Sequence, residues 1–272
     1  MTELKSAAPF AGKVALVAGA SKGIGAATAE AFAASGAAVA LIARSGDLVE
    51  ARARQIRENG GKAIAIQADV GDDEQMARAV EQTVAEFGGL NAAFNNATDG
   101  PRPAPLADLD LDGFGRGIRT NIDGTFISMR HEIAAMLKGS GGAIVNMASV
   151  AGVNGTSGLA GYVAGKAGII GLTKAAALDY ADRGIRINVV APGPILTHHL
   201  EAAGPEAQRQ AGLATPMRRI GRVEEVASAV LWLCSDEASF ITGALLPIDG
   251  GQTAGNKIAM NYRPGEPMRA GS

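Results

Sequence analysis

Short apolar runs alternate with longer amphipathic segments along most of this chain. The runs are rich in Ala, Val, Ile and Leu, which is typical of strands buried in a parallel sheet. We predict about seven such strands, at residues 15–18, 39–42, 63–67, 92–95, 143–147, 186–190 and 244–248. Helical periodicity occupies the intervening segments 23–34, 47–59, 72–87, 112–137, 160–183 and 223–233. This alternation predicts a doubly wound parallel sheet with right-handed crossovers and with helices on both faces.

The chain has 272 residues, of which 47% are hydrophobic, enough for the core of one large α/β domain. We predict that this domain spans residues 11–254, after an N-terminal extension at residues 1–10. The tail, residues 255–272, mixes glycine, proline and charged residues. We expect it to be disordered, and the alternative is a tail that crosses to a neighbouring subunit.

Charge and hydropathy narrow the function classes. The formal net charge of −2 leaves no basic excess of the kind that nucleic-acid binding requires. No run of about eighteen apolar residues could cross a bilayer, and the first twelve residues lack an apolar export segment. We therefore expect a cytoplasmic protein without a nucleic-acid or membrane partner. The single cysteine, Cys234, cannot form an internal disulfide.

A glycine turn joins the first strand to the first helix. Gly19, Gly23 and Gly25 follow the apolar run directly. Glycine lets the backbone turn tightly and approach a phosphate, while the free N–H groups of the helix N-terminus attract an anion. The spacing differs from the common G-x-G-x-x-G pattern, and no Gly-Lys-Ser/Thr closes it as in a P-loop. We interpret it as a dinucleotide site, with a purely structural turn as the alternative.

Tyr162 and Lys166 stand four residues apart in a predicted helix, with Ser149 upstream. Residues at this spacing share one helix face, with Cβ atoms about 5–6 Å apart. A nearby cation favours the phenolate, so Lys166 is expected to lower the Tyr162 pKa and to make the phenol a usable acid and base. The pair alone is a weak signal, because a solvated surface pair has the same spacing.

The series of motifs is similar to that of the short-chain dehydrogenase/reductase family, from about Ala11 to about Thr253. The matching motifs, in chain order, are the glycine turn, Asp69-Val70, Asn95-Asn96-Ala97, Asn121, Ser149, Tyr162 with Lys166, Pro192-Gly193 and Asp249-Gly250-Gly251. The resemblance is to the main short-chain branch, with its Asn-Ser-Tyr-Lys tetrad. It implies a single-domain Rossmann-type fold.

The resemblance also implies roles for the tetrad. Tyr162 would donate and accept the proton, Ser149 would bond the reacting oxygen, and Lys166 would hold the nicotinamide ribose. Asn121 would steady a water-linked proton path, with a capping asparagine as the alternative. The coenzyme-binding residues that the resemblance implies are Gly19, Ser21, Lys22, Gly23, Ile24, Gly25, Arg44, Ser45, Asp69, Val70, Asn95, Ala97, Tyr162, Lys166, Pro192, Gly193, Ile195 and Thr197.

Three positions differ from the residues usually found in the family's motifs. Ala18 stands where a threonine commonly precedes the glycine turn, Thr98 replaces a glycine, and Gly165 replaces a serine before the lysine. None of the three removes a reacting group. A glycine inside a helix is destabilising by about 1 kcal/mol relative to alanine. Thr98 adds a branched side chain near the expected nicotinamide, where it could alter access of the substrate.

The end of the second predicted strand bears on the choice of coenzyme. A carboxylate there would bind the free ribose hydroxyl of NAD, but this chain has the neutral Ala43 followed by Arg44 and Ser45. Arginine can pair with the 2′-phosphate of NADP, and Lys22 adds a second positive charge near the same place. We therefore expect NADP(H), with NAD(H) as the alternative if both cations are ordinary surface charges.

The expected substrate is a small carbonyl compound or alcohol without strong negative charge. Residues 196–219 have weak periodicity and are expected to form a loop or short helices that close over it. The resemblance implies that Val153, Thr156 and Leu159 form the opposite wall. His198 and His199 lie in this loop, and since neighbouring residues rarely share one ligand face, we expect a lid and no metal site.

The sequence thus predicts an NADP(H)-dependent carbonyl reductase that is reversible as an alcohol dehydrogenase. The alternatives are an NAD-linked secondary alcohol dehydrogenase, a 3-oxoacyl-carrier-protein reductase with Arg130 and Lys138 as candidate docking cations, and a non-catalytic NADPH-binding regulator. The resemblance also implies a homotetramer, with a homodimer as the alternative.

Overall fold

A computed structural model describes residues 8–99 and 102–255, together with the backbone of residues 260–261 and 269–270. Its central sheet has seven parallel strands in the order β3-β2-β1-β4-β5-β6-β7. The strands are β1 Val14–Ala18, β2 Ala38–Ala43, β3 Lys62–Gln67, β4 Ala92–Asn95, β5 Gly142–Met147, β6 Ile185–Pro192 and β7 Leu245–Ile248. The predicted fold class is therefore confirmed.

Helices connect the strands and cover the sheet. They are α1 Gly23–Ala34, α2 Gly46–Glu58, α3 Asp73–Phe87, α4 Leu111–Ile118, α5 Gly124–Met136, α6 Val150–Val153, α7 Ala160–Tyr180, α8 His198–Ala202, α9 Gly204–Leu213 and α10 Val223–Cys234. None of the helices in the described part of the chain is long and apolar enough to cross a membrane.

The two faces of the sheet bury separate apolar clusters. On one face, α1, α2 and α10 pack against alternate strand residues such as Val17 and Leu41. On the other face, α3, α5 and α7 pack against the intervening residues, such as Leu16 and Ile42. Successive strand side chains point to opposite faces, so apolar runs that bury every residue give a sheet covered on both sides.

The strand order reverses beside β1, which pairs with β2 on one side and with β4 on the other. The helices that follow β1 and β4 lie on opposite faces of the sheet, and this opens a crevice at the carboxyl ends of the two strands. The glycine turn after β1 and the Asn96-Ala97 segment after β4 both reach this crevice.

Two regions differ in detail from the sequence-based prediction. The helix predicted over residues 112–137 contains a π-helical turn at Arg119–Asp123 between α4 and α5. The Asn121 side chain, through Nδ2, donates to the Gly117 carbonyl within this segment. Residues 196–219 contain the short helices α8 and α9, and Gly204, the first residue of α9, has a φ of 86°.

Most of the C-terminal tail lies outside the described residues. Its described backbone forms a two-residue antiparallel pairing of β8, Met260–Asn261, with β9, Arg269–Ala270. The predictions of disorder and of crossing to a neighbouring subunit concern residues that the structure does not describe, so they stay predictions.

Candidate active site

A cavity of about 520 Å³ occupies the crevice at the carboxyl ends of the strands. This volume lies within the range of small-molecule and coenzyme sites. The residues of the predicted set that line it are Gly19, Ser21, Lys22, Gly23, Ile24, Arg44, Ser45, Asp69, Val70, Ala97, Ser149, Tyr162, Lys166, Pro192, Gly193, Ile195 and Thr197. Gly25, Asn95 and Asn121 are not on its wall. The fold thus gathers residues from six separate motifs around one space.

The glycine turn needs its glycines for two different reasons. Gly19 has a φ of 80°, and a Cβ there would lie 2.7 Å from the backbone nitrogen of Ala97. Gly25 lies away from the cavity, where a Cβ would collide with the Gly19 carbonyl oxygen. The Asn96 side chain fixes the turn, because its Nδ2 donates to that same carbonyl at 3.0 Å. Gly25 therefore shapes the turn by letting α1 pack closely against it.

The end of the cavity beside β2 carries positive charge. Lys22 and Arg44 are exposed on its wall, next to Ser45. Within the described residues neither cation forms an ion pair with a carboxylate. Asp69 also lines the cavity, and its Oδ1 accepts a hydrogen bond from the Gly71 N–H at 2.9 Å. The residues here suit a phosphate-bearing coenzyme, since the glycine turn and two free cations face one cavity.

Ser149 and Tyr162 bring two hydroxyl groups together on the cavity wall. Ser149 caps the N-terminus of α6, where its hydroxyl accepts from the Ala151 N–H at 3.2 Å. Tyr162 lies in the first turn of α7. Burial raises the pKa of the Tyr162 phenol, and a hydrogen bond with Ser149 opposes this rise. The phenol is therefore protonated at neutral pH in the ligand-free protein.

Lys166 is fully buried beneath the cavity, with 1% of its surface exposed. Its Nζ donates to the Met147 carbonyl at 2.9 Å and lies 5.6 Å from the centre of the Tyr162 ring. Burial lowers the Lys166 pKa to about 7. The net shift of the Tyr162 pKa is opposite to the lowered value that we expected, because burial is the largest influence on both groups.

Asn121 is completely buried in the π-helical turn. Its Nδ2 donates to the Asp99 and Gly117 carbonyls at 2.6 and 2.8 Å, and its Oδ1 accepts from the Thr98 hydroxyl at 3.0 Å. Thr98, one of the departures from the family wording, thus holds the asparagine by a bond that glycine could not make. A Cβ at Gly165 would lie 3.0 Å from the Asn121 Cβ, so glycine there permits close packing of α7.

His198 and His199, at the start of α8, both line the cavity. The rings of His198 and His199 lie 3.9 Å apart between centroids. Within the described ranges no group of three His, Cys, Asp or Glu residues could hold a metal ion. Val153, Thr156 and Leu159, which we expected to form the opposite wall, are not among the lining residues.

A buried polar network behind the cavity was missed by sequence reasoning. Asn95 is part of it, since its Nδ2 donates to Glu132 on α5 and to Asn146 on β5, both at 3.0 Å. The available signal was the position of Glu132 on the apolar face of α5, together with Met129, Ile133 and Met136. An acidic residue on a buried helix face requires a polar partner across the packing interface.

The comparisons with known proteins agree with this geometry. A family model described as Enoyl-(Acyl carrier protein) reductase matches residues 19–253. The chain is 42% identical to a 2,5-dichloro-2,5-cyclohexadiene-1,4-diol dehydrogenase of Sphingobium indicum, over 90% of this chain and 98% of that protein. It is 44% identical to a cyclohexanol dehydrogenase of an Acinetobacter species, over 90% and 96%. The crystal structure of levodione reductase superposes with a TM-score of 0.87 at 33% identity, covering 91% of this chain and 100% of the other.

Proposed function

The chain belongs to the short-chain dehydrogenase/reductase family, and from that premise we propose that it interconverts a ring-borne secondary alcohol and its ketone with NADP(H). As a family member it is an oxidoreductase that acts on CH–OH groups with a nicotinamide coenzyme. The observation that carries the proposal is that one cavity holds Ser149, Tyr162 and Lys166 together with the glycine turn.

A bound nicotinamide supplies the hydride in reduction and accepts it in oxidation. The glycine turn would hold the coenzyme phosphates, Lys166 the ribose beside the nicotinamide, and Pro192, Gly193, Ile195 and Thr197 the nicotinamide end. This chain's side chains would then bind the substrate oxygen, orient it and move one proton.

Tyr162 is the proposed proton donor to the carbonyl oxygen. The raised pKa keeps the phenol protonated before reaction, which is the form that reduction needs. Proton transfer leaves a phenolate, and Lys166 as an ammonium would stabilise that anion. A lysine pKa near 7 lets this group take up or release a proton near neutrality, so it can follow the charge on Tyr162. Ser149 would donate to the same substrate oxygen and keep it in line with the phenol.

The NADP(H) part of the proposal rests on the charges beside β2. Ala43 offers no carboxylate to repel a 2′-phosphate, and Arg44 and Lys22 both face the cavity without a competing partner among the described residues. Arginine binds phosphate through two parallel N–H bonds, which are stronger than neutral hydrogen bonds.

The substrate class follows from the relatives. Two of them are named for six-membered carbocyclic alcohols, a dichlorocyclohexadiene diol and cyclohexanol. We extend this class to the present chain, and cyclohexanone and cyclohexanol are suitable first probes. Met147 and Ala148 line the same cavity as Tyr162, and such uncharged groups suit an apolar ring better than an acidic substrate.

The test is fluorescence titration with NADPH and NADH in parallel, on the wild-type protein and on Arg44→Asp. We expect tighter binding of NADPH, and we expect the substitution to weaken that binding by about 10- to 100-fold, as for a lost charge-assisted contact. Arg54→Asp is the matched control, because Arg54 is an exposed arginine on α2 that does not line the cavity. Equal or tighter binding of NADH by the wild-type protein would exclude the NADP(H) assignment.

We also propose that the protein assembles as a homotetramer, as the family resemblance implies. Phe126 on α5 is 50% exposed and Leu178 on α7 is 84% exposed. Both helices pack on the same face of the sheet. Large exposed apolar side chains of this kind suit a subunit interface. Light scattering of the purified protein is the test, and a monomeric mass at assay concentration would contradict the proposal.

A further inference from the structure

Glu132 places a carboxyl group inside the protein, away from the cavity wall. It lies on α5 and has no exposed surface. Its buried neighbours on that helix are the apolar Met129, Ile133 and Met136 and the polar Ser128, whose hydroxyl donates to the Gly124 carbonyl. The proposed reaction does not use this group, so its burial needs another explanation.

The contacts of Glu132 are too few for an ionised carboxylate. Its Oε2 accepts one hydrogen bond, from Asn95 Nδ2 at 3.0 Å, and its Oε1 has no partner. Within the described residues no cation forms an ion pair with it. A buried charge needs a counter-charge or several donors, and one amide does not suffice. Burial raises the Glu132 pKa to about 7, and the Asn95 bond opposes this rise only in part.

The oxygen of the Asn95 amide, Oδ1, is also buried without a partner. It is an acceptor, and a proton on Glu132 Oε1 would make that atom a donor. The two unpartnered atoms belong to side chains that are already joined through their other ends. If the proton of a neutral Glu132 is directed at the Asn95 amide oxygen, both atoms gain a partner at once.

Hydrogen bonds connect Asn95 to the next strand, β5, and to helix α7. Asn95 and Asn146 are register partners on β4 and β5, and Asn95 Nδ2 donates to Asn146 Oδ1 at 3.0 Å. Asn146 Nδ2 in turn donates to the Thr173 hydroxyl on α7 at 2.9 Å. Thr173 is bonded to the Ile169 carbonyl at 2.7 Å, so the network ends on the helix that carries Tyr162 and Lys166.

Each asparagine of the network directly precedes a residue that holds the site. Asn96 follows Asn95 and bonds the Gly19 carbonyl of the glycine turn. Met147 follows Asn146, and its carbonyl accepts the Lys166 bond. A change in the Asn95 or Asn146 side chain would thus reach both the phosphate end and the lysine end of the cavity.

We propose that Glu132 is a positioning residue, which as a neutral carboxylic acid pairs with the Asn95 amide and so fixes the strand ends that carry Asn96 and Met147. Loss of its proton removes the donor to Asn95 and loosens both ends of the coenzyme site. The protein therefore binds its coenzyme more weakly above the pKa of Glu132, through a group that never contacts the coenzyme.

The surroundings of Glu132 contain few groups that could produce the same pH effect. Cys234 interacts electrostatically with it, but burial, with a further contribution from Glu132, raises the thiol pKa to about 12. Arg186 interacts electrostatically with Cys234; burial lowers the Arg186 pKa, but an arginine side chain keeps its charge in proteins. The buried residues of α3 are Met76, Ala79, Val80 and Thr83, none of which titrates. Lys166, on α7, titrates near neutrality and must be separated by experiment.

The first test is difference infrared spectroscopy of the ligand-free protein, wild type against Glu132→Gln, from pH 5 to pH 9. We expect the wild type to show the carbonyl stretch of a buried carboxylic acid that persists at pH 6, fades through neutrality and is missing from the variant. Glu86→Gln, a change at an exposed glutamate of α3, should leave the band unchanged. A Glu132 carboxyl that is already ionised at pH 6 would overturn the proposal.

The second test is coenzyme titration at pH 6 and pH 9 with Glu132→Gln and Glu132→Met, using NADPH and NADH. Glutamine can donate to and accept from an amide like the neutral acid, whereas methionine can do neither. At pH 6 we expect Glu132→Gln to bind within about twofold of wild type and Glu132→Met about fivefold more weakly, the equivalent of one net hydrogen bond. At pH 9 the wild type should bind coenzyme more weakly than Glu132→Gln. Because both proteins contain Lys166, the ratio of their dissociation constants reports on Glu132 alone.

Two outcomes would overturn the positioning role. One is coenzyme binding by Glu132→Met equal to that of wild type. The other is a ratio of the wild-type dissociation constant to that of Glu132→Gln that is the same at pH 6 and pH 9. Circular dichroism checks that each variant is folded, and the infrared test on the wild type stands even if Glu132→Met does not fold. This inference rests on the proposed function only for its coenzyme readout. Failure of the wild type to bind either coenzyme would refute the proposed function, while the infrared result would still decide the state of Glu132.

Discussion

Replacing Lys166 with methionine should stabilise the ligand-free protein while removing its activity. The amine is fully buried, and burial lowers its pKa from the ordinary 10.5 to about 7. At about 1.4 kcal/mol per pKa unit, this difference corresponds to about 5 kcal/mol of unfavourable burial for the charged form. Methionine has a similar length and carries no charge, so the cost of burying a charged amine is absent from the variant.

The stability that Lys166→Met gains over wild type depends on pH, in a direction set by the lowered pKa of Lys166. Above pH 10.5 the amine is neutral in both the folded and the unfolded protein, so its burial carries no ionisation penalty. As the pH falls, the unfolded chain takes up the proton first, and the penalty grows until the folded protein is protonated below about pH 7. The penalty is therefore about 5 kcal/mol at pH 6 and about 2 kcal/mol at pH 9.

The substitution also removes the donor to the Met147 carbonyl, which costs about 1–3 kcal/mol. We therefore expect Lys166→Met to raise the free energy of unfolding by about 2–4 kcal/mol at pH 6 and by about zero at pH 9. Guanidinium unfolding at equal protein concentration measures this difference, with Lys174→Met, an exposed lysine on the same helix, as the control. A variant less stable than wild type by the same amount at both pH values would refute the reasoning.

Three further predictions concern the same site. Tyr162→Phe should bind coenzyme within about twofold of wild type but lose at least about 100-fold in turnover, because only the proton donor is removed; retained turnover in a steady-state assay would contradict its role. Thr98→Val should lower the free energy of unfolding by about 1–3 kcal/mol, because Asn121 Oδ1 loses its donor in a buried site, whereas Thr98→Ser should restore most of it in the same urea titration. Gly25→Ala should weaken coenzyme binding at least about tenfold, since its Cβ collides with the Gly19 carbonyl, while Gly89→Ala, where a Cβ meets no atom within 4 Å, should bind normally.

Local pattern was sufficient to predict the sheet and most of its helices. The central strands are runs of apolar residues buried on both faces, and such runs leave few alternatives in an alternating α/β chain. The π-helical turn at Arg119–Asp123 could not be predicted in this way, because the surrounding residues keep ordinary helical periodicity. The turn depends on the hydrogen bonds of Asn121. The bond to Gly117 is local, whereas those to Thr98 and Asp99 join segments more than twenty residues apart.

The motifs predicted most of the residues that line the cavity, apart from Gly25, Asn95 and Asn121, but they did not predict the electrostatics of the site. The spacing of Tyr162 and Lys166 placed them on one helix face and suggested a lowered tyrosine pKa. The depth at which that face is buried is a property of the whole fold, and it raises the Tyr162 pKa instead. Glu132 was missed for the same reason, since its partner Asn95 lies 37 residues away in the chain.

The central claim is that hydride passes between the coenzyme and a ring carbon while Tyr162 moves the proton. The most direct measurement uses NADPH carrying deuterium at the transferable position, with cyclohexanone as substrate, and mass spectrometry of the alcohol formed. We predict that wild-type protein transfers one deuterium to the carbinol carbon and that Tyr162→Phe forms almost no labelled alcohol. Alcohol formed without coenzyme deuterium, or labelled alcohol formed equally fast by Tyr162→Phe, would contradict this account.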